Sequence, residues 1–258
     1  MDEDLDAPPV KSISRAATVL RVLAAMGAEG GQLTEIARRA GFGKATTHRI
    51  LAALTDVEFA YQNTTTRHYH LGAGLGLLAR QASHHDVGAL AQPVLMRLAC
   101  QTQDTVYIQV REGFRAFCIG REQGSFPIKT LSLDVGQSRP LGVGSGSLAL
   151  LSFLPRDEIE TVIGANTRWL RDYPAFAPES LRELVRETQA RGYAFIEGQV
   201  IPGVNAIAVP VLDENKRPVA SLSVTAIADR VHGERALWLA SLLREEAEQL
   251  SLQLHRTG

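Results

Sequence analysis

The sequence has few cysteines, no long apolar run and almost no net charge, and each of these absences excludes a class of protein. Two cysteines in 258 residues are too few for a disulfide scaffold. Cys100 and Cys118 also lack the spacing of a metal site, so we expect buried thiols in a reducing cytoplasm. No apolar stretch is long enough to span a membrane, and the acidic start predicts a disordered leader over residues 1–11 rather than a secretory signal. We therefore expect a cytoplasmic protein with no membrane partner.

The net charge of -1 argues against a protein that coats nucleic acid along its whole length. The charge is unevenly distributed, however. Residues 12–72 carry seven bases and four acids, a balance of +3, whereas the residues from 73 onward carry 19 bases and 20 acids. A mildly basic N-terminal region attached to a neutral body favours a sequence-specific DNA-binding protein.

The segment 33–54, LTEIARRAGFGKATTHRILAAL, predicts two short helices joined by a glycine turn. Thr34 is a good N-cap for the first helix, and Gly41 is a helix stop. The second helix begins near Gly43, and its helical periodicity places one arc in the core, formed by Thr47, Ile50, Leu51 and Leu54. The opposite arc and its flanks offer hydrogen-bond donors and small side chains to a DNA groove, from Lys44, Ala45, Thr46, His48, Arg49 and Ala52.

Two core helices with a solvated basic face would give the same pattern, and the neighbouring segments favour the DNA-binding interpretation. A helix capped by Ser12 or Ser14 is predicted before the pair, and β-like runs at 59–62 and 67–71 predict a hairpin after it. Together they make a winged helix-turn-helix over residues 12–72, whose tip and Arg67 can reach the DNA backbone or minor groove. The candidate DNA contacts are Thr34, Lys44, Ala45, Thr46, His48, Arg49 and Arg67.

The rest of the chain predicts a linker over residues 73–86 and an α+β domain with an antiparallel sheet over residues 87–258. The adjacent His84, His85 and Asp86 diverge in direction and have no evident partners, so we expect no metal site there. Strands are predicted at 105–110, 116–120, 128–131, 205–212 and 219–225, and helices at 87–99, 147–154, 156–163, 178–191 and 234–254. The last helix has an apolar repeat of seven residues, for which packing on its own sheet is favoured over a dimer seam.

The glycine-rich run at 140–150, PLGVGSGSLAL, resembles three nucleotide or catalytic motifs and completes none of them. It lacks the third glycine of a dinucleotide fingerprint, the flanking glycines of a nucleophile elbow and the lysine of a P-loop, so we expect no cofactor. Its amides and the hydroxyls of Ser145 and Ser147 converge on a helix start, which suits an anion or carboxylate, although a purely steric need for glycine explains the turn equally well.

The strand at 219–225 places three hydroxyl side chains on one face, those of Ser221, Ser223 and Thr225. These hydroxyls either line a polar pocket or form a solvent-facing side of the sheet. The strand pattern alone leaves both possibilities open.

Taken in order along nearly the whole chain, these blocks resemble the isocitrate lyase regulator (IclR) family of bacterial transcription factors. The resemblance is carried by SISRA at 12–16, the segment 33–54, HYHLG, RPLGVGSGSLALLSFLP, ARGYAFIEGQVIPGVNAIAVPVLDE and PVASLSV. It implies a winged-helix domain, a linker helix and an effector-binding domain similar to GAF and PAS sensors. It also implies a homodimer or homotetramer that binds double-stranded operator DNA, responds to a small organic effector and controls catabolic genes.

The resemblance also assigns residues. The family's PKSTxHR pattern is matched by Lys44, Thr46, His48 and Arg49, with Gly43 in place of proline and Ala45 in place of serine. The effector is expected to contact the glycine turn and the late strands, at Gly144, Ser145, Gly146, Ser147, Ile196, Ala206, Ser223 and Thr225. The family's HATAxGKA block here reads GVGSGSLA, and Ile196 stands where an acidic residue is common. We therefore expect a less charged pocket and a ligand with more apolar surface, such as an aromatic or branched acid.

We expect no catalytic activity. Two alternatives remain open at the level of the sequence. One is a hydrolase-like enzyme with Ser145 or Ser147 as nucleophile and a distant histidine as base. The other is an architectural DNA-binding protein that responds to no ligand.

Overall fold

The computed structural model of the protein describes residues 10–79 and 85–257. The chain divides into two compact units, Met1–His85 and Asp86–Gly258. Most of the predicted leader over 1–11 and residues 80–84 of the predicted linker, His84 among them, lie outside the described residues. Within the described ranges, no helix is both long and apolar enough to cross a membrane.

The first unit consists of helices followed by a two-stranded antiparallel hairpin. The elements are α1 (Lys11–Ala25), α2 (Leu33–Ala40), α3 (Lys44–Asp56), β1 (Ala60–Gln62), β2 (Tyr69–Leu71) and α4 (Ala73–Ala79). Helices α1, α2 and α3 pack around a shared core that includes Val19, Leu23, Ile36 and Leu51. This arrangement confirms the winged helix-turn-helix that the sequence predicts.

The predicted turn between the two helices of the pair is correct, whereas the predicted N-cap of the first helix is wrong. Gly41 ends α2 in the left-handed conformation, with φ of 71°. Thr34, however, is not the N-cap, because Gln32 precedes the helix and its carbonyl accepts from the amides of Glu35 and Ile36, both at 3.0 Å. Gly31 pairs with Tyr69 of the hairpin through two backbone hydrogen bonds. This pairing fixes the extended chain before α2, and the helix therefore begins at Leu33.

The cap predicted for α1 is also wrong. Neither Ser12 nor Ser14 precedes the helix, because both lie inside it, and Val10 is the N-cap residue. The carbonyl of Val10 accepts from the amides of Ile13 and Ser14 at 3.0 and 3.3 Å. Backbone groups thus begin this helix without any side-chain cap.

The second unit is an α+β domain built on one antiparallel sheet, as predicted. Its elements are α5 (His85–Thr102), β3 (Thr105–Glu112), β4 (Arg115–Gln123), β5 (Ser138–Pro140), α6 (Ser145–Ser152), α7 (Arg156–Leu170), α8 (Pro178–Arg191), β6 (Ala194–Glu197), β7 (Val204–Leu212), β8 (Pro218–Ile227) and α9 (Gly233–Thr257). The six strands lie in the order β5-β4-β3-β8-β7-β6. Because α5 begins at His85, the helix starts within the predicted linker, two residues before its predicted start at 87.

Helices cover both faces of this sheet. On one face α5 and α9 bury the apolar side chains of β3, β7 and β8, and the stripe of α9 that includes Leu243 and Leu250 faces this core. That packing confirms the prediction that α9 lies on its own sheet. The other face carries Ser221, Ser223 and Thr225, all buried, beneath α6. The interpretation of these hydroxyls as a solvent-facing side is therefore wrong.

Two further sequence predictions in this unit are wrong. Residues 128–131 do not form a strand but belong to the strap, as we call residues 124–137, which connect β4 to β5. Residues 128–131 are held by side-chain hydrogen bonds instead of a sheet ladder, since Thr130 Oγ1 donates to the Thr225 carbonyl at 2.7 Å. Cys118 is buried as expected, but Cys100 is exposed because it lies on the outer side of α5.

Candidate functional site

The start of α3 presents an exposed basic surface in the first unit. Gly43 precedes the helix in an extended conformation and makes no side-chain cap, and no acidic residue lies in the first turn. Thr47 is buried and anchors this turn to the core. Outward from it, Lys44, His48 and Arg49 are exposed, and none of the three has an ion-pair partner among the described residues. Their donors therefore remain free for an external anion.

The remaining predicted DNA contacts surround this surface. Ala45 is exposed on α3, and Thr46 is half-buried. Thr34 is exposed in the first turn of α2, where its own amide and that of Leu33 have no intrahelical partner. Arg67 is exposed at the tip of the hairpin with φ of 59°.

The hairpin tip is held by local hydrogen bonds. The side-chain oxygen of Asn63 accepts from the amides of Thr65 and Thr66 at 2.9 and 3.0 Å. At the base of the wing, a ring nitrogen of His68 lies 2.9 Å from the Glu29 carbonyl. The wing is thus a structured element that presents Arg67 to solvent.

A cavity lies against the hydroxyl face of the sheet in the second unit. It contains about 480 Å³ of space free of protein atoms, part of it open to solvent. Strands β3, β6, β7 and β8 form its floor, while the start of α6 and the strap border it. It is lined by Tyr107, Gln109, Ser132, Leu133, Arg139, Val143, Gly144, Ser145, Gly146, Ile196, Val200, Ile201, Val204, Ala206, Ser223 and Thr225.

Seven of the eight residues predicted to contact an effector lie in this lining, and Ser147 does not. The hydroxyl of Ser147 is fully buried in the glycine turn, where it accepts from the Gly142 amide at 2.8 Å and donates to the Pro140 carbonyl at 3.2 Å. Ser147 therefore shapes the turn and has no free hydroxyl for a ligand or for nucleophilic attack. Among the described lining residues there is also no histidine to serve as a base.

Several polar side chains of the lining are buried and yet have no protein partner. Gln109, Ser145, Ser223 and Thr225 are each at most 6% exposed, and no other described residue forms a hydrogen bond with their side chains. Buried polar groups in proteins are normally paired. These four therefore offer donors and acceptors to a molecule in the cavity.

Arg139 is the one charged residue of the described lining, and the sequence analysis did not predict it. It belongs to β5, is half-buried, and donates from its guanidinium to the Ser132 carbonyl of the strap. Desolvation lowers the pKa of Arg139 below its usual value. No acidic residue lines the cavity among the described residues, in keeping with the apolar Ile196, but the guanidinium makes the cavity electropositive. The sequence feature that pointed to it is its position directly before Pro140 and the glycine-rich turn, where the other predicted contacts begin.

Comparison with known proteins identifies both units. Residues 12–64 match the model of the IclR helix-turn-helix domain, and residues 79–252 match that of the bacterial transcriptional regulator IclR C-terminal domain. The chain is 27% identical over 251 residues to the HTH-type transcriptional repressor AllR of Klebsiella pneumoniae, covering 95% of this chain and 90% of that protein.

Solved structures agree with this assignment. An IclR-type regulator from Alicyclobacillus acidocaldarius superimposes with a TM-score of 0.67 at 27% identity, covering 95% of this chain and 99% of that one. An IclR homologue of Microbacterium hydrocarbonoxydans, in complex with 4-hydroxybenzoate, has a TM-score of 0.70 at 21% identity over 95% of this chain and 99% of its own.

The functional class follows from these relatives. The curated relatives are transcriptional repressors or regulators, so the protein is a regulator with a DNA-binding unit and an effector domain, and it is not an enzyme. The hydrolase alternative is thereby removed. Since the two matching models cover most of its length, the chain belongs to the IclR family of bacterial transcriptional regulators.

Proposed function

We propose that the protein binds operator DNA as a homodimer or homotetramer and controls a catabolic operon in response to a small organic effector. Residues 12–72 are the DNA-binding domain, 73–86 the linker, and 87–258 the effector-binding and oligomerisation domain. The observation that carries the proposal is that one chain has both an exposed basic surface on α3 and a cavity lined by buried polar groups without protein partners.

The recognition helix α3 enters the major groove with its N-terminal half. Lys44, His48 and Arg49 supply donors to base edges and phosphates, together with the hydroxyl of Thr46. Ala45 allows close approach of the helix backbone, because its side chain is small. Arg67 of the wing contacts the backbone or minor groove, and the free amides near Thr34 face a phosphate.

The cavity provides the regulation. An effector that binds one arrangement of the oligomer more tightly than another shifts operator affinity by that difference in binding free energy. Paired DNA-binding domains must match half-sites at a fixed spacing along the helix, so a small rearrangement is sufficient. The complex of the Microbacterium relative with 4-hydroxybenzoate supports an organic acid as the class of effector.

The first experiment tests the DNA-binding surface. Operator sequences are selected from a random DNA library with the wild-type protein, and affinities are measured by fluorescence anisotropy at fixed salt. His48→Ala and Arg49→Ala should each weaken operator binding about tenfold to a hundredfold, because each removes a base or phosphate donor, while the melting temperature stays unchanged.

Arg21→Ala is the matched control, since Arg21 is an exposed arginine of the same unit on α1. It should alter operator affinity by less than about threefold, the scale of one screened surface charge. Unchanged affinity in both α3 variants would contradict the recognition-helix assignment.

The second experiment tests the response to an effector. A thermal-shift screen with small carboxylates and phenolic acids identifies molecules that raise the melting temperature, and each one is then added to the operator-binding assay. The proposal expects at least one that changes operator affinity. If no molecule of a broad panel changes the melting temperature or the operator affinity, an architectural DNA-binding protein becomes the better interpretation.

A further inference from the structure

Arg139 has an unusual electrostatic position in the effector cavity. Of the described residues that line the cavity, it alone carries a charge. Its guanidinium is half-buried, and no carboxylate of the described residues lies within ion-pair distance of it. Burying a cation without a counter-charge is costly, so such an arrangement is expected where a ligand supplies the negative charge.

Most other arginines buried to a similar extent in this unit are paired with carboxylates, and the exception among the described residues is Arg115, which donates to Ser138. Arg111 contacts Glu158 at 2.7 Å, and Arg230 and Arg235 each contact Asp104 at 2.7 Å. Arg139 instead donates to a backbone carbonyl, that of Ser132. A guanidinium has five N–H donors, so this bond holds the group in place and leaves further donors available.

Two weakly acidic side chains near Arg139 are not anions at neutral pH. Burial raises the pKa of the Cys118 thiol to about 11. Burial also raises the pKa of the Tyr107 phenol, whose hydroxyl donates to the Thr130 carbonyl at 2.7 Å. Neither group therefore neutralises the guanidinium within the protein.

The guanidinium lies beside the start of α6, which is itself a favourable place for negative charge. A Cβ built on Gly144 would lie 3.4 Å from Nη1 of Arg139. Gly144 has φ of 88° and makes no side-chain cap, so the first amides of α6 have no partner within the helix. Ser145 and Gly146 of that turn line the cavity together with Arg139.

A further polar group is directed into the same space. Gln109 is more than nine-tenths buried, and its carboxamide has no hydrogen-bond partner among the described residues. A Cβ on Gly146 would collide with this carboxamide, which places Gln109 directly against the first turn of α6. The guanidinium and the helix amides are donors that match a planar, two-oxygen acceptor. The Gln109 carboxamide, whose oxygen lies nearest to Gly146, adds one N–H₂ group as a donor and one acceptor.

We propose that Arg139 is the specificity-determining residue of the cavity and binds a carboxylate of the effector against the first turn of α6. The proposal rests on the proposed function of the cavity and names the chemistry of its ligand. Because the lining provides one cation, the ligand is a monoanion, and a second carboxylate would have no counter-charge. Its apolar part contacts the apolar side chains of the lining, which are Leu133, Val143, Val200, Ile201 and Val204.

The test uses two matched pairs of probes with the full-length protein, benzoate with benzamide and 3-methylbutanoate with 3-methylbutanamide. Within each pair the shape is nearly constant and only the charge differs. We expect the wild-type protein to bind at least one of the two carboxylates about tenfold or more tightly than its amide in isothermal titration calorimetry.

Arg139→Met retains most of the side-chain length and removes the charge. It should weaken binding of that carboxylate about tenfold or more and abolish the difference from the amide, whereas Arg139→Lys should retain part of the preference. Arg139→Gln is the second neutral variant, in case Arg139→Met lowers the melting temperature of the free protein. The comparison of acid with amide in the wild type needs no variant at all.

Three results would overturn the proposal. They are equal binding of acid and amide, undiminished carboxylate binding by both neutral variants, and binding of neither carboxylate at about 10 mM. Operator binding by the wild type is measured in parallel without probes. Its absence would contradict the proposed function, whereas its presence with any of the three results would contradict only the role of Arg139.

Discussion

Asp104 and Arg230 form a buried ion pair that joins the start of β3 to the turn after β8. Arg230 Nε donates to Asp104 Oδ1 at 2.7 Å, and the side chain of Asp104 is 1% exposed. Arg235 of α9 donates to the other carboxylate oxygen at 2.7 Å. One carboxylate therefore holds two guanidinium groups, and Arg230 in turn lies over the Phe126 ring at 3.8 Å, which connects the cluster to the strap.

Asp104→Asn should destabilise the second unit strongly, because it leaves two partly buried guanidinium groups without their counter-charge. We expect a loss of about 2–4 kcal/mol in the free energy of unfolding. Urea unfolding monitored by tryptophan fluorescence measures it, since Trp169 and Trp238 both lie in this unit.

Asp134→Asn is the matched control. Asp134 also accepts from an arginine, Arg121 at 2.8 Å, but its side chain is 64% exposed. Its substitution should cost less than about 1 kcal/mol. Equal losses from the two substitutions would mean that burial does not determine the contribution of these pairs.

Gly146→Ala should disturb the effector cavity, whereas Gly164→Ala should not. Both glycines lie inside helices, but a Cβ at Gly146 would collide with the Gln109 carboxamide and approach Ser221 Oγ to 3.1 Å. At Gly164 a Cβ would meet nothing within 4 Å. We expect Gly146→Ala to cost about 1–3 kcal/mol and Gly164→Ala to stabilise by about 0.5–1 kcal/mol.

Thermal and urea unfolding of the two glycine variants provide the measurement. If the free energy of unfolding changed with the same sign and size in both variants, helix propensity rather than contact with Gln109 would determine the effect. Any ligand found by the thermal-shift screen should also bind less tightly to Gly146→Ala, since the displaced carboxamide would narrow the cavity.

The elements that the sequence predicts well are those whose pattern is local. The alternation of Ser221, Ser223 and Thr225 with apolar residues is a property of the strand alone, and so is the buried arc of α3. The N-cap of α2 could not be predicted, because tertiary pairing decides it. The backbone pairing of Gly31 with Tyr69 determines where α2 begins, and these two residues are far apart in the sequence.

The strap and Arg139 could not be predicted for a related reason. Ile128 to Leu131 have strand-like composition, but they lack a neighbouring strand, and their hydrogen bonds go to side chains of β3 and the carbonyl of Thr225. Whether Arg139 faces solvent or the cavity depends on the pairing of a three-residue edge strand with β4. A sequence pattern that short does not determine a register.

The two cysteines should differ sharply in reactivity. Cys100 is exposed on α5, whereas Cys118 is buried in β4 with a pKa raised to about 11 by desolvation. At pH 8 only about one part in a thousand of a thiol with that pKa is thiolate. Iodoacetamide should therefore label Cys100 in the folded protein and reach Cys118 only after denaturation, as measured by peptide mass spectrometry. Equal labelling rates would contradict the burial of Cys118.

Glu35 should titrate far below an ordinary glutamate. It accepts from Arg38 at 2.7 Å and from Arg39 at 2.7 Å on the surface of α2. The hydrogen bonds from these two side chains lower the pKa of Glu35 from 4.5 to about 2. Because the pKa is depressed in the folded state, the ionised form contributes stability that is fully present above pH 4.5 and is lost as the pH falls toward 2.

NMR titration of the ¹³C-labelled glutamate carboxyl groups in the full chain measures this directly. Replacing both Arg38 and Arg39 with glutamine should return the midpoint of Glu35 toward 4.5, and raising the salt concentration should do so in part, because the cluster is open to solvent. Single replacements should give intermediate midpoints, with Arg38→Gln the larger change, since its hydrogen bond is the largest cause of the shift. A wild-type midpoint near 4.5 would instead mean that both arginines are too well hydrated to lower the pKa of Glu35.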